Sequence, residues 1–288
     1  MRLDWLVRMK DALDLMETRM EEPLDIAEIA KASYTSPFHF QRMFHMLTGM
    51  TVAEYIRKRK LTLAAQELAT SSSRVLDIAL KYGYDSPESF SKAFRKIHGI
   101  PPSDARAPGA VLKAFPRISF HLSLKGDKDM DYTMVEKPAF NAAGKAIQMK
   151  MKGGENNWKI PQFWGQCHED GTCARLASIG AAGNLLGICM DMRHDQEQLT
   201  YLIAAETKPD ADTEGLEIRT IPAAAWAVFT AVGPVPGAIQ DVWRRIFQEW
   251  FPSTGYEHSG GPELEVYPPG NTTADDYRCE IWIPVVKK

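Results

Sequence analysis

Apolar residues recur every three or four positions through the first hundred residues, and one such arrangement occurs twice. Residues 36–44 read SPFHFQRMF and residues 86–94 read SPESFSKAF, and a glycine follows each segment after four further residues. Serine before proline favours the start of a helix, and glycine favours its end. A shorter apolar segment, 24–32 or 75–82, precedes each copy. The pattern predicts two helix-turn-helix units.

Two more helices are predicted around these units, over residues 3–20 and 51–69, so the amino-terminal part is expected to be all-α. The second of them carries four successive cations, Arg57–Lys60. Such a run is compatible with a solvated helix face and with contact to phosphates, and both interpretations stay open.

The longer helix of each unit has a polar side that we expect to enter the major groove of DNA. Two units in one chain can reach two successive groove segments, so double-stranded DNA is predicted to be bound by a monomer. Glutamine matches the edge of adenine, and arginine matches that of guanine. The predicted DNA contacts are Ser36, Phe38, His39, Gln41, Arg42, His45, Arg57, Ser86, Glu88, Ser89, Ser91, Lys92 and Arg95. The first unit has more groups that bond a base at two atoms, so we expect the second to contact mainly the backbone.

Charge is distributed unevenly, although the 288-residue chain has a net charge of only −3. Residues 1–128 hold 20 Lys and Arg against 15 Asp and Glu, whereas residues 129–288 hold 14 against 22. A basic front and an acidic back fit a DNA-binding module joined to a module of another kind. The chain shows no bilayer-length apolar run and no signal-like start, which predicts a cytoplasmic protein without a membrane partner. Its four cysteines form no metal-binding motif, so neither a metal nor a cofactor is predicted.

The helical pattern gives way to short strand-like segments after Ala107-Pro108-Gly109. We therefore predict one domain at 1–107 and another at 131–288, joined by a linker at 108–130. A short strand is predicted at 118–124, before a charged, glycine-containing stretch.

The second domain is predicted to be α+β. Strands are predicted at 132–136, 141–151, 185–192, 198–206, 216–232, 263–267 and 277–286. Apolar residues at helical spacing indicate helices around 160–167 and 239–250. The segments 135–146 and 218–230 echo each other. We therefore expect a duplicated β-α-β-β unit that forms an antiparallel sheet, with a groove between its two helices.

Near the carboxyl end, Glu280-Ile281-Trp282 alternates as a half-buried strand does, so Glu280 and Trp282 share one face. A carboxylate beside an aromatic ring suits a cation, because the ring attracts the cation and the carboxylate balances its charge. The alternative, an exposed glutamate beside a partly covered tryptophan, stays open.

The repeated units, together with Tyr55-Ile56-Arg57 and Gly99-Ile100-Pro101-Pro102, resemble the DNA-binding domain of the AraC/XylS family over residues 5–106. That resemblance implies a seven-helix domain whose two reading helices enter successive major grooves on one side of the DNA. The sequence departs from the family at Ser33-Tyr34, where a glycine is usual in the turn. We expect the backbone to differ locally at that point.

Residues 131–288 resemble the GyrI-like ligand-binding domain, most clearly in Pro222–Phe229 and Glu280–Pro284. The resemblance implies an aromatic-lined groove for amphipathic, often cationic compounds, with an acidic residue in the last strand. Glu280 matches that position. The predicted ligand-binding residues are Glu280, Trp282, Trp164, Phe163, Tyr201 and Tyr267.

The order of the two domains resembles the Rob-type multidrug-responsive regulators. It implies a transcription regulator rather than an enzyme, with a small-molecule effector and with RNA polymerase as a further partner. Two alternatives stay open. One is a hydrolase of strained, reactive compounds in which Glu280 is the general base. The other is a protein that sequesters toxic compounds and binds DNA only to regulate its own synthesis.

Overall fold

The helical and the strand-like parts of the sequence fold into different compact units. The computed structural model describes residues 4–119, 129–150, 155–193, 198–208 and 211–287. Within these residues, one unit combines 4–40 with 52–119, and the other combines 41–51 with 129–287. The grouping differs from the predicted domain at 1–107, because residues 41–51 belong to the second unit.

The first part of the chain is helical throughout its described residues, as the apolar spacing predicts. Its elements are α1 (Asp4–Thr18), α2 (Ile26–Ala32), α3 (Pro37–Thr48), α4 (Val52–Thr70), α5 (Val75–Lys81), α6 (Pro87–His98) and a 3-10 helix at Pro102–Arg106. Helix α3 begins in the first unit and continues into the second. The two predicted pairs of helices, α2 with α3 and α5 with α6, are confirmed as elements of the fold.

The two helix-turn-helix units share their local geometry. The hydroxyl oxygens of Ser36 and Ser86 accept the amides three residues on, both at 3.2 Å, so each serine caps its helix. In the turns, Tyr34 has φ 54° where Gly83 has φ 79°. The expected difference at Ser33-Tyr34 is therefore small, because Tyr34 adopts the left-handed backbone that the glycine adopts, at a cost of about 1–2 kcal/mol.

Helix α4 contributes much of the buried surface of the first unit. Its residue Leu61 packs in one apolar cluster with Phe90 and Phe94 of α6. Arg59 donates two hydrogen bonds of 2.8 Å to Glu17 of α1. Lys58 pairs with Glu54 at 2.9 Å. Lys58 and Arg59 of the basic run therefore have partners inside the unit.

The second unit is built on an antiparallel sheet. Its elements are β1 (Thr133–Lys137), β2 (Phe140–Lys150), α7 (Asn156–Glu169), α8 (Thr172–Ile179), β3 (Leu185–Arg193), β4 (Gln198–Glu206), β5 (Glu217–Ile221), β6 (Ala224–Val232), α9 (Gly237–Arg245), a π-helical turn at Ile246–Trp250, α10 (Phe251–Ser253), β7 (Tyr256–His258), β8 (Glu263–Tyr267) and β9 (Arg278–Lys287).

Most of the predicted strands are confirmed, with three differences. The long fifth strand is divided into β5 and β6 at Pro222, because proline cannot donate to a strand ladder. The short elements α8 and β7 are absent from the prediction. The strand predicted at 118–124 is wrong for 118–119, which are irregular, and its remaining residues lie outside the described ones.

The described sheet confirms the predicted duplication. Its strand order is β1-β6-β9-β8-β3-β4-β2-β5, with β7 paired to β9. Each half supplies three adjacent strands, and the leading strand of each half pairs with the other half. The strands β8 and β3 therefore meet at the pseudo-symmetric centre of the sheet.

The two faces of the sheet are buried in different ways. On one face an apolar cluster includes Ile188 and Trp226, with Val135 from β1 and Ile221 from β5. Because β1 and β5 are the two ends of the strand order, the sheet curls around this cluster. The other face carries helices, and residues of α7 and α8 pack there on Tyr201 of β4.

Candidate functional site

A cavity of about 690 Å³ lies on the helix-bearing face, between α7 and α9. Strands β3, β4 and β8 form its floor. Its walls include Trp164 of α7, Trp243 of α9, Tyr201 of β4 and Tyr267 of β8. The predicted groove between two helices is thus present, and three of the predicted ligand-binding residues, Trp164, Tyr201 and Tyr267, line it.

Glu265 of β8 is the one carboxylate among the described residues that line the cavity. Trp243 Nε1 donates to its Oε1 at 2.8 Å. The hydroxyls of Tyr201 and Tyr267 donate to its Oε2 at 3.0 and 2.9 Å. Trp164 Nε1 donates to the Tyr201 hydroxyl at 2.9 Å, so four aromatic side chains hold the carboxylate in one orientation.

Gly187 of β3 makes this arrangement sterically feasible. It is the register partner of Glu265 across the β3–β8 pair. A Cβ atom at this position would lie 2.2 Å from the Tyr201 hydroxyl and 3.0 Å from Glu265 Oε2. The missing side chain therefore lets Tyr201 of β4 reach across β3 to the carboxylate on β8.

Burial and hydrogen bonding act on the pKa of Glu265 in opposite directions. Desolvation raises the pKa of Glu265, although the three donors act in the opposite direction. Desolvation and the nearby carboxylate raise the pKa values of Tyr201 and Tyr267 well above that of a free phenol, so both hydroxyls remain donors. The cavity therefore presents an oriented carboxylate that gains stability from any cation brought close to it.

A second carboxylate, Glu263, lies two residues earlier on β8 and is fully buried. Arg42 of α3 donates to its two oxygens from Nε at 2.7 Å and from Nη2 at 2.6 Å. His258 Nε2 lies 3.1 Å from Glu263 Oε1. Burial alone would raise the pKa of Glu263, but the charge of Arg42 and the bond from His258 lower it to about 2. Glu263 is therefore an anion whose charge Arg42 balances.

The predicted site residues Glu280 and Trp282 do not line the cavity. Strand alternation places them on the opposite face, where Trp282 Nε1 donates to Glu280 Oε2 at 2.8 Å. With Lys137 and Phe140 they line a smaller space of about 220 Å³. The expectation that Glu280 supplies the carboxylate of the groove is wrong, because its register partner is Val266, whereas Glu265 faces the other way.

Phe163 is also misplaced by the prediction. It is buried in the apolar cluster with Cys167 and Leu176, because it points to a different side of α7 than its neighbour Trp164. Sequence reasoning missed Glu265 and Trp243. The signal for Glu265 is present as Glu-Leu-Glu-Val-Tyr in β8, where alternation puts a carboxylate and a phenol on one face.

The predicted DNA contacts on α6 are mostly exposed: Glu88, Ser89, Lys92 and Arg95, with Ser91 partly buried. Ser86 caps the helix and is partly buried. On α4, Arg57 is partly buried. Helix α6 therefore presents a polar ridge of the kind that the repeat predicts.

Helix α3 differs from the prediction at several positions. His39 is only 1% exposed, because it lies four residues before the buried Met43 and shares its side of the helix. Arg42 is bound to Glu263, and Arg42 and His45 line the cavity instead of facing outward. The remaining predicted contacts on this unit, Ser36, Phe38 and Gln41, are partly buried.

Two further features of the described residues concern other classes of site. No described helix has both the length and the apolar composition needed to cross a bilayer. Among the same residues, no group of three or more His, Cys, Asp or Glu side chains is placed to hold a metal ion. All four cysteines are free thiols.

Two family models match the chain, one over the helical part and one over the strand-containing part. A model described as a GyrI-like small molecule binding domain matches residues 130–286. A model described as a helix-turn-helix domain matches residues 29–107.

Individual proteins are similar to one part of the chain each. Regulatory protein SoxS of Escherichia coli K12 is 40% identical over 97 residues, which are 34% of this chain and 91% of SoxS. Multiple antibiotic resistance protein MarA of Salmonella typhimurium is 36% identical over 94 residues, which are 33% of this chain and 74% of MarA. SAV2435, solved bound to tetraphenylphosphonium, is 25% identical with a TM-score of 0.50, and the match covers 55% of this chain and 94% of SAV2435.

Proposed function

The chain belongs to the AraC-type transcription regulators that carry a GyrI-like small-molecule-binding domain, and we propose that its effector is a lipophilic aromatic cation. The observation that carries this proposal is Glu265, a desolvated carboxylate held by Trp243, Tyr201 and Tyr267 at the floor of the cavity. An anion with aromatic neighbours attracts a cation both through its charge and through the ring faces.

The hydrogen bonds of Glu265 narrow the class of cation. A carboxylate offers about four acceptor positions, and three of them are occupied here. The site therefore supplies charge and aromatic surface more readily than acceptors for a primary amine. A phosphonium or quaternary ammonium has no N–H to satisfy, so it matches what remains. The binding of tetraphenylphosphonium by SAV2435 supports the same class.

The size and composition of the cavity agree with a bulky aromatic compound. Its volume of about 690 Å³ is in the range of cavities that hold drug-sized ligands. The other charges at its wall have partners: Arg42 is neutralised by Glu263, and Arg244 pairs with Asp241 at 3.0 Å. Glu265 therefore remains the carboxylate available to a cation.

On the DNA side, we infer that the paired helices α3 and α6 engage successive major grooves as a monomer in the cytoplasm. The polar ridge of α6 supports backbone contact, because Lys92 and Arg95 are exposed. Gln41 and Arg42 of α3 are the proposed base readers, since their side chains can bond adenine and guanine at two atoms. For Arg42 this requires release from Glu263.

A pair of titrations tests the ligand class. Calorimetry on the full chain compares methyltriphenylphosphonium with triphenylphosphine oxide, a neutral compound with the same three phenyl rings. The cation should bind at least about tenfold more tightly, since the oxide has the same rings without the charge. Equal affinity for the two compounds, or binding of the neutral one alone, would show that Glu265 does not select for charge.

A further inference from the structure

Arg42 contacts the buried Glu263 and two aromatic rings, and one of these rings, that of Trp243, lines the cavity. Its guanidinium holds both oxygens of Glu263, and its Cζ lies 5.3 Å from the ring centre of Trp243 and 5.2 Å from that of Phe247. The side chain is 12% exposed, and that of Glu263 is 0% exposed. A guanidinium whose two N–H donors are bound to a carboxylate cannot use the same donors to bond the edge of guanine.

Release of Arg42 would leave Glu263 with another partner. His258 of β7, the short strand that pairs with β9, lies 3.1 Å from the same carboxylate. A buried carboxylate without any partner is strongly unfavourable, and the ring nitrogen of His258 stays within reach of Glu263 when Arg42 is released. Glu263 would therefore not be left without a neighbouring polar group if Arg42 moved to DNA.

Trp243 connects this ion pair to the proposed ligand site. One face of its ring is used by Arg42, and its Nε1 donates to Glu265. Arg42, His45 and Met46 also line the cavity. A cation that binds against Glu265 would compete with the guanidinium for the aromatic face of Trp243 and would repel its charge at short range.

We propose that Glu263 competes with DNA for Arg42, and that a lipophilic cation in the cavity weakens this internal competition. The first half stands on the Arg42–Glu263 geometry alone, and the second half rests on the proposed function. A ligand shifts an equilibrium only by its different affinity for the two states. Here the difference arises because the ligand and the bound Arg42 oppose each other in one cavity. The cation therefore favours DNA binding, and DNA favours the cation by the same factor.

The competition is tested on the full chain with a duplex that the full chain has selected from a random-sequence library. Fluorescence anisotropy compares the wild type with Glu263→Gln, without ligand. The variant should bind the duplex on the order of tenfold more tightly. In an Arg42→Ala background, Glu263→Gln should give no gain, because the freed group is absent. Glu249→Gln, an exposed acid paired with Arg245 by a 2.8 Å contact, is the matched control and should bind as the wild type does.

Two outcomes would contradict the proposal that Glu263 and DNA compete for Arg42. One is unchanged or weaker DNA binding by a folded Glu263→Gln, with folding verified by circular dichroism. The other is a gain that persists in the Arg42→Ala background, which would indicate general loosening instead.

The coupling to ligand is measured by adding saturating tetraphenylphosphonium. It should raise the DNA affinity of the wild type on the order of tenfold and that of Glu263→Gln much less. If Glu263→Gln does not fold, Trp243→Leu decides the coupling, because it removes the ring face that the ligand and Arg42 would share. In Trp243→Leu the effect of saturating ligand on DNA affinity should shrink at least about threefold, and an undiminished effect overturns the coupling. Failure of tetraphenylphosphonium to bind at all would instead contradict the proposed function, and the ligand-free comparison would still decide the competition.

Discussion

The two faces of the sheet each carry a glutamate beside a tryptophan, and among the described residues the two glutamates differ in how many chain segments contact them. Glu265 accepts three hydrogen bonds from aromatic side chains on β4, β8 and α9. Glu280, on the adjacent strand and the opposite face, accepts one described bond, from Trp282 two residues along its own strand. The same pair of residue types thus forms an organised anion in one place and a local contact in the other.

The difference comes from the elements that cover each face. Helices α7 and α9 bring the indoles of Trp164 and Trp243 over β8 and β4, and Gly187 opens the path for Tyr201. The curled face instead surrounds an apolar cluster, and Glu280 lies at its border near Lys137. Glu265 is held in one orientation because donors from several chain segments meet at it. The described bond to Glu280 comes from its own strand.

The largest expected change in ligand affinity comes from replacing the glutamate on one face of the sheet, and not the one on the other, by glutamine. Glu265→Gln removes the anion at nearly constant shape, so the free energy of binding tetraphenylphosphonium should weaken by about 1.4–2.8 kcal/mol, a 10- to 100-fold loss of affinity. Glu280→Gln makes the same chemical change on the opposite face and should alter affinity less than about twofold. Calorimetric titration of both variants measures the contrast. A loss in Glu280→Gln with none in Glu265→Gln would return the site to the face that the sequence predicted.

A smaller change in cation affinity is expected from pH, and it also distinguishes Glu265 from Glu280. Desolvation raises the pKa of Glu265, so acidification protonates it before an ordinary glutamate. The ionised form attracts the cation more strongly, so below that pKa the affinity should fall by up to about tenfold per pH unit until it reaches the affinity of Glu265→Gln. Above it the affinity should be constant. Glu280→Gln should retain this profile and Glu265→Gln should lose it, and a profile that survives in Glu265→Gln would assign it to another group.

Much of the fold follows from local patterns. Ser36 and Ser86 begin α3 and α6 as their side-chain chemistry predicts, and the alternating segments become strands. The short elements α8 and β7 were not predicted. Helix α8 has eight residues between two glycines, and β7 has three, so neither shows enough periodicity to be recognised.

The site was less accessible to sequence reasoning. Strands β8 and β9 both alternate polar and apolar residues, and alternation alone does not say which face the helices cover. That choice depends on the register, Glu265 opposite Ile281 and Val266 opposite Glu280, which forms only in the folded sheet. The position of Arg42 could not be predicted either, because its partner Glu263 is 221 residues away and the helical pattern placed Arg42 on the outside.

The central claim is that a cation is held on the Glu265 face. The most direct test follows the indole N–H signals of the full chain by nuclear magnetic resonance during titration with tetraphenylphosphonium. Trp164 and Trp243 bond to the Glu265 network, so their signals should shift in proportion to occupancy, while that of Trp282 on the opposite face should not move. A shift of the Trp282 signal without shifts at Trp164 and Trp243 would contradict the account.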